Sequence, residues 1–237
     1  MSLFLFIVII LLASILQTST GFGFSIMATP FLLLLFDPRE AIQLNLVLSL
    51  FISTALILNI KKDVNWAIFK RFVIGSFFGL SLGIGIFLLL DMTLLKLVVS
   101  FLIIGLTILL ILNWRIRQTV RRDFLVGGLS GILTTSMGMP GPPLLLYFSG
   151  TNTDKATLRA TTLAFYLFIY LASLIFQTMF AGTSVDMWLL SLKTLPIVVI
   201  GLIFGQLLYN RINQRMFQII TYILLFISGS YLLINQF

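Results

Sequence analysis

Apolar runs fill almost the whole of the 237-residue chain, and the polar residues collect in short stretches between them. Most runs come close to the roughly 20 residues that an α-helix needs to cross a hydrocarbon core of about 30 Å. This pattern predicts an all-α polytopic membrane protein with about eight to ten membrane segments. The predicted apolar segments are 3–19, 24–36, 41–60, 67–90, 93–114, 124–137, 142–149, 157–180, 187–208 and 216–235.

Two pairs of segments follow each other without a polar loop. The stretch TSTGFGF (18–24) joins the first pair, and GMPG (138–141) joins the second. As one straight helix, residues 3–36 would be about 50 Å long at 1.5 Å per residue, which exceeds the thickness of the membrane core. Each pair must therefore break, tilt or fold back, and glycine and proline are the residues that interrupt helices.

The same order of elements occurs twice along the chain. Each half has an apolar segment, a glycine-rich break, a second apolar segment, a polar turn and three long spans. The spacing Gly79-x3-Gly83 recurs as Gly201-x3-Gly205, which indicates close helix packing at matching places. We therefore predict two repeats, each a broken helix or hairpin followed by three transmembrane helices. The predicted division is 1–114 for the first repeat, 115–123 for a cytoplasmic basic loop and 124–237 for the second repeat.

The basic residues predict how the chain crosses the membrane. There are 15 lysines and arginines against 7 acidic residues, a net charge of +8, and the positive-inside rule makes the basic loops cytoplasmic. The loops around Lys61 and Arg211 lie on one side only if residues 124–149 cross an even number of times, so the chain should reverse at GMPG. The two halves would then be inverted, with both termini extracytoplasmic. The residues assigned to the cytoplasmic side are Lys61, Lys62, Lys70, Arg71, Arg115, Arg117, Arg121, Arg122, Lys155, Arg159, Arg211 and Arg215, and those assigned outside are Arg39, Lys96 and Lys193.

The composition excludes several kinds of chemistry. Cysteine and histidine are absent, which removes disulfides, thiolate metal sites and the commonest proton shuttle, so no metal or other cofactor is expected. Membrane orientation explains the basic surplus, so no nucleic-acid partner is expected. All seven carboxylates fall at span ends or in loops, which leaves no acidic proton carrier or catalytic pair in mid-span. We therefore expect no enzyme, and transport by uniport, exchange, or symport in which a weakly acidic substrate carries the proton.

The two breaks are the candidate functional features. A helix that begins at a break presents unpaired N–H groups and a partial positive charge, which suit an anion. Two matching breaks predict one anion site near the membrane midplane, exposed alternately as one repeat rocks against the other. The alternatives are that the breaks only kink packed helices and that the basic side chains only snorkel. The candidate substrate-binding residues are Thr20, Gly21, Gly23, Ser25, Asn45, Thr135, Ser136, Gly138, Pro140, Gly141, Tyr147 and Arg159, and the candidates for steering anions into a vestibule are Lys70, Arg71 and Lys193.

Three stretches carry a family resemblance. GFGFSIMATPFL (21–32), GGLSGILTTSMGMPGPPLLLYF (127–148) and KATLRATTLAFY (155–166) resemble the TauE/SafE sulfite exporter family, also called TSUP permeases. Glycine is frequent in that family at three positions that differ here, namely Phe24, Ser25 and Met27. The resemblance covers essentially the whole chain.

The resemblance implies a permease of the bacterial or archaeal cell (inner) membrane. Its substrates would be small sulfur-containing anions such as sulfite, thiosulfate or organosulfonates. An anion channel and a permease for other small organic anions such as carboxylates are the alternatives. The expected partners are the lipid bilayer and a small anionic substrate. A coupling proton, a homodimeric state, the direction of transport and full or re-entrant crossing of the hairpins are left open.

Overall fold

The computed structural model describes three continuous ranges, 2–89, 118–149 and 153–209. It also describes residues 91, 94, 97, 98, 100, 101, 104, 105, 108, 112, 151, 211 and 234. The predicted span 216–235, apart from residue 234, and most of 93–114 lie outside the described residues. So do Lys96, Arg115, Arg117 and Arg215.

The described residues form α-helices joined by short turns. The helices are α1 (Ser2–Thr20), α2 (Phe24–Leu35), α3 (Pro38–Ile60), α4 (Trp66–Leu89), α5 (Val120–Met137), α6 (Gly141–Ser149), α7 (Lys155–Ala181) and α8 (Val185–Tyr209), with a 3₁₀ turn at Lys61–Asp63. Five of them, α1, α3, α4, α7 and α8, are long and apolar enough to cross a membrane. The prediction of an all-α polytopic membrane protein is confirmed.

Helices α3 and α7 begin in the same way. Asp37 and Asp154 are their N-caps. The carboxylate of Asp37 accepts a hydrogen bond from one backbone N–H of the first turn, that of Arg39, and the carboxylate of Asp154 accepts two, from Ala156 and Thr157. The bonds from Thr157 and Ala156 hold the pKa of Asp154 below its ordinary value. The same interval of sequence separates Asp37 from Asp154 and Gly21 from Gly138, so these caps and breaks have matching positions in the two halves of the chain.

Helices α3 and α7 run antiparallel. Gln43, near the start of α3, donates from Nε2 to the carbonyl oxygen of Gly182 just after α7 at 2.8 Å. Asn65, just after α3, donates its backbone N–H to Thr161 Oγ1 near the start of α7 at 2.9 Å. The bundle therefore has an Asp37 end, where α3 begins and α7 ends, and an Asp154 end, where α7 begins and α3 ends.

The repeated glycines bring helices of different halves together. On α4, a Cβ atom at Gly79 would lie 2.1 Å from the carbonyl oxygen of Gly128 on α5. On α8, Cβ atoms at Gly201 and Gly205 would lie 2.4 and 2.5 Å from the Cβ atoms of Ser14 and Thr18 on α1. Only glycine permits these approaches, so the motif that the sequence repeats makes equivalent interfaces, α4 with α5 and α1 with α8.

The start of α5 differs from the prediction. Thr119 is the N-cap, and its hydroxyl accepts a hydrogen bond from the backbone N–H of Arg122, so the helix begins at Val120. The last four residues of the predicted loop 115–123 therefore belong to α5, and Asp123 lies in its first turn.

Candidate functional site

The first break lies between α1 and α2 and depends on two glycines. Gly21 and Gly23 have φ angles of 85° and 109°, which side chains with a Cβ atom rarely adopt. The hydroxyl of Thr20 lies 2.6 Å from the carbonyl oxygen of Leu16 and 2.8 Å from that of Phe22. Thr20 therefore stabilises the turn itself.

The first break reverses the chain. Phe6, near the start of α1, and Phe36, just after α2, make an edge-to-face ring contact with centroids 5.6 Å apart. Because the end of α2 comes back to the start of α1, these helices form a hairpin.

The second break lies between α5 and α6. Gly138 has a φ angle of 70°, ends α5 in the left-handed conformation and donates its N–H to the carbonyl oxygen of Thr134 at 2.8 Å. Ser130 donates its hydroxyl to the carbonyl oxygen of Pro140 at 3.1 Å, which ties the turn to the preceding helix. Helix α6 then begins at Gly141 with prolines 142 and 143 in its first turn, where no backbone N–H is needed.

The second break also reverses the chain. The hydroxyl of Tyr147, near the end of α6, donates to Asp123 Oδ1 in the first turn of α5 at 2.6 Å. The end of α6 therefore returns to the start of α5. This is the reversal at GMPG that the distribution of basic residues requires.

The two breaks enter the bundle from opposite ends. A Cβ atom at Gly21 would lie 3.0 Å from the Cα atom of Arg159, in the second turn of α7 at the Asp154 end. At the other break, Asn45 on α3 donates from Nδ2 to the carbonyl oxygen of Gly138 at 2.7 Å, toward the Asp37 end. Neither Gly21 nor Gly138 lies level with the middle of α3 and α7. The segments that meet are the starts of α2 and α6, which follow these glycines.

The starts of α2 and α6 meet beside two tyrosines of α7. A Cβ atom at Gly141 would lie 2.9 Å from both Ile26 Cδ1 and the hydroxyl oxygen of Tyr166. One turn further along α7, Tyr170 donates its hydroxyl to Ser25 Oγ at 3.3 Å. Both tyrosines are fully buried, and the Tyr166 hydroxyl has no hydrogen-bond partner. The sequence interpretation missed them; the spacing of YLFIY (166–170), which places two hydroxyls on one helical face inside a predicted span, is the signal.

The two helix starts offer different numbers of backbone donors. The first-turn N–H groups of α2, at residues 24–26, have no acceptor within the helix, and the N-cap Gly23 has no side chain to satisfy them. At α6, Pro140, Pro142 and Pro143 carry no N–H, so Gly141 alone contributes an unpaired donor. The first break therefore supplies most of the backbone donors, although the second contains more glycine and proline.

The predicted hydroxyl donors of the second break bond within the protein. Ser136 donates to the carbonyl oxygen of Ile132 at 2.6 Å. Thr135 lies 3.1 Å from the carbonyl oxygen of Gly131 and 2.9 Å from Ser173 Oγ. In this conformation these side chains stabilise the end of α5, and substrate contact by them stays a prediction.

Arg159 lies beside the first break, but its guanidinium group points elsewhere. Nη2 donates to Gln206 Oε1 at 2.7 Å, and the guanidinium carbon lies 4.2 Å from the centre of the Tyr209 ring. Gln206 and Tyr209 are at the end of α8, so the charge of Arg159 is directed toward the Asp154 end. Its Nε atom is buried without a partner.

The remaining predicted residues are distant from the two helix starts. Tyr147 bonds to Asp123 because the reversal of α6 carries it back to the start of α5. Arg71 forms an ion pair with the same carboxylate, with Nη1 2.9 Å from Oδ2. Lys70 is exposed, and Lys193 is exposed on α8 next to Leu192.

Asp123 differs from the expectation for the carboxylates. It lies in the first turn of its helix, as expected of a residue at a span end, but it is fully buried and takes part in two strong hydrogen bonds. The reversal of the chain brings Tyr147 of α6 onto Asp123 and covers it. The order of residues along the chain does not indicate this contact.

These features define a polytopic helical membrane protein with two hairpins that enter the bundle from opposite ends. Residues 6–232 match the family described as Sulfite exporter TauE/SafE, and the chain belongs to this family of membrane transporters. Comparisons with curated proteins and with solved structures gave no match.

Proposed function

We propose that the protein is a secondary transporter that exports small sulfur-containing anions such as sulfite, thiosulfate or organosulfonates. The observation that carries the proposal is the meeting of the α2 and α6 starts at Tyr166. Two helix starts that come from opposite ends and meet beside one buried hydroxyl suit a single anion reached from either side.

Hydrogen bonds at the two ends of the bundle support alternating access. At the Asp37 end, Gln43 bonds to Gly182, and Ser184 donates to Glu40 Oε1 at 2.8 Å. At the Asp154 end, Asn65 bonds to Thr161. Each set joins α3 to α7 or to a loop beside it, so each end can open by breaking a few hydrogen bonds while the other stays closed.

The distribution of charge supports an orientation with the Asp154 end in the cytoplasm. The described basic residues at that end are Lys61, Lys62, Lys70, Arg71, Arg121, Arg122, Lys155, Arg159 and Arg211. Those toward the Asp37 end are Arg39 and Lys193. The positive-inside rule then makes the N-terminus extracytoplasmic, because α1 packs parallel to α8 and begins at the Asp37 end.

A cavity at the Asp37 end fits an outer vestibule in this orientation. Its volume is about 540 Å³, and it lies directly outside Gln43 and Gly182. Arg39, Asp37 and Glu40 also line it, so it offers both signs of charge to a leaving anion. An anion released at this end would pass through it.

Transport by proteoliposomes tests the proposal. The purified protein should catalyse saturable counterflow of labelled sulfite, and an excess of unlabelled substrate inside should speed uptake. Current that rises without saturation would identify a channel instead, and counterflow of carboxylates alone would identify a permease for other organic anions.

A matched pair of glycine variants tests the site. Gly141→Val introduces atoms where Tyr166 and Ile26 already lie within 2.9 Å of a Cβ atom, and counterflow should be lost while the protein still reaches the membrane. Gly85→Val is the control, because a Cβ atom there has no neighbour within 4 Å. Parental uptake by the Gly141 variant would rule out a site at this position.

A further inference from the structure

We propose that the site between the α2 and α6 starts selects singly charged oxyanions, such as hydrogensulfite or an organosulfonate, over doubly charged ones. The proposal rests on the proposed transport function and adds the charge class of the substrate, which removes the dianion thiosulfate from the proposed substrates. It also adds Tyr166 as the hydroxyl that binds an anion oxygen.

The donors that the described residues offer at this site are neutral groups. They are the first-turn N–H groups of α2, the N–H of Gly141 and the hydroxyls of Tyr166 and Ser25, the latter held by a hydrogen bond from Tyr170. The Tyr166 hydroxyl is completely buried, has no partner and lies against the N-terminus of α6. A buried hydroxyl without a partner is costly, and an anion oxygen at the helix start would satisfy it.

No charged side chain of the described residues reaches this region. Helices α1, α2 and α6 contain no charged residue. On the other helices packed near Tyr166, the charged residues lie within about two turns of an end: Arg39 and Glu40 on α3, Lys70 and Arg71 on α4, Arg121, Arg122 and Asp123 on α5, and Lys155 and Arg159 on α7. Of these, Arg159 comes closest along the helix, and its guanidinium group is bonded to Gln206.

The positive charge available to the anion therefore comes from the helix termini. A helix N-terminus acts as at most roughly half an elementary charge, and the prolines leave α6 with one free first-turn N–H, so the two termini together supply at most about one. This amount can largely balance a monoanion, whereas a dianion would keep at least one uncompensated negative charge in a site walled mainly by apolar side chains. Because an unpaired buried charge is strongly unfavourable, the site discriminates by charge.

This selection has a consequence for proton movement. Hydrogensulfite and sulfite interconvert near neutral pH by transfer of one proton. If only the monoanion crosses, each transported ion carries its own proton, and release on the alkaline side returns that proton to solution. Net movement of sulfite would then respond to a pH gradient without a titrating side chain at the site.

The pH dependence of transport tests the charge class. Labelled sulfite is supplied at fixed total concentration to proteoliposomes with equal internal and external pH, between pH 6 and 9. The initial rate under subsaturating conditions should follow the hydrogensulfite concentration, falling about tenfold per pH unit at the alkaline end. Methanesulfonate is the control because it is a monoanion at every pH in this range, so its competition with hydrogensulfite should not vary.

Competition by sulfate and thiosulfate tests the charge selection independently of pH. As dianions of comparable size, each should compete at least tenfold more weakly than methanesulfonate. Equal competition by either dianion, or a sulfite rate that is constant up to pH 9, would overturn the charge selection and leave the transport function standing. Absence of counterflow with every anion would instead overturn the transport function.

Tyr166→Phe tests the hydroxyl. The change preserves the ring contact with Phe22, whose centroid is 6.4 Å away, and should raise KM for hydrogensulfite about tenfold, as loss of a hydrogen bond of about 1.4 kcal/mol would do. Tyr147→Phe removes a buried hydroxyl that Asp123 already satisfies, and should leave the ratio of methanesulfonate to sulfate competition unchanged. An unchanged KM in a folded Tyr166→Phe protein would remove this residue from the site.

Discussion

Replacing Asp123 by asparagine should destabilise the second hairpin strongly. The carboxylate accepts hydrogen bonds from Tyr147 at 2.6 Å and from Arg71 at 2.9 Å, and thereby joins the end of α6 to α5 and α4. Asparagine has nearly the same shape but no charge, so the change removes the electrostatic part of both bonds without leaving a cavity.

The expected loss follows from the two bonds. A hydrogen bond to a charged group contributes about 1.5–3 kcal/mol, and a neutral one about 1 kcal/mol. The amide oxygen can still accept from Tyr147, whereas the amide nitrogen faces Arg71, another donor. Arg71 is 32% exposed and can turn toward water, which keeps the cost below that of a fully buried unpaired charge. We expect a loss of about 2–4 kcal/mol.

Thermal unfolding in detergent measures this loss. At roughly 2–4 °C per kcal/mol for a chain of this size, Tm should fall by about 10 °C. Asp154→Asn is the matched control, because asparagine caps a helix as well as aspartate does, and its Tm should change little. Adding Arg71→Gln to Asp123→Asn should cost little more than Asp123→Asn alone. A Tm equal to that of the parent would show that the contact does not stabilise the hairpin.

Three further changes test the helix interfaces and the cap of α7. Gly79→Ala places a Cβ atom 2.1 Å from a backbone oxygen and should cost at least 1–3 kcal/mol in thermal stability, whereas Gly85→Ala on the same helix has open space and should cost nothing. Asp154→Ala should cost about 1 kcal/mol near neutral pH. Because the folded pKa of Asp154 lies below 3.8, this difference should shrink as pH falls through that lowered value, which paired pH titrations of Tm would reveal. In this cysteine-free chain, the distance between spin labels on cysteines introduced at the exposed Leu12 of α1 and Ile203 of α8 should be the same with and without substrate, and a changed distance would contradict joint movement of α1 and α8.

Local sequence features were enough to predict the described helices and both breaks. The predicted boundaries of α2, α4 and α6 agree with the structure to within one residue, because each begins or ends at a glycine, a proline or a polar turn. Reversal at the second break followed from the positions of basic residues, since one-sided charge constrains the number of crossings. These inferences need only the order of residues and the dimensions of the membrane.

The candidate site depended on packing that no local pattern contains. Tyr166 and Tyr170 belong to the candidate site because the turn of a hairpin from each half lies beside them, and those hairpins begin more than a hundred residues apart. Tyr147 was assigned to the site because it is close to the break in sequence, yet reversal carries it back to Asp123. The shortage of backbone donors at α6 could have been predicted, since proline has no N–H, but it required knowing that the helix begins at Gly141.

The glycine interfaces determine which parts of the bundle can move together. Helix α1 packs on α8 and α5 packs on α4, in both cases with glycine at backbone contact between different halves of the chain. Rocking one whole half against the other, as the repeat alone predicts, would separate both interfaces and lose contacts that only such close approach provides. Movement of each hairpin together with its partner helix would preserve them and break only the few hydrogen bonds at one end of α3 and α7. We therefore expect the moving unit to be a hairpin and its partner helix, drawn from different halves of the chain. The distance between labels on α1 and α8 distinguishes this from rocking of the sequence repeats, which requires that distance to change.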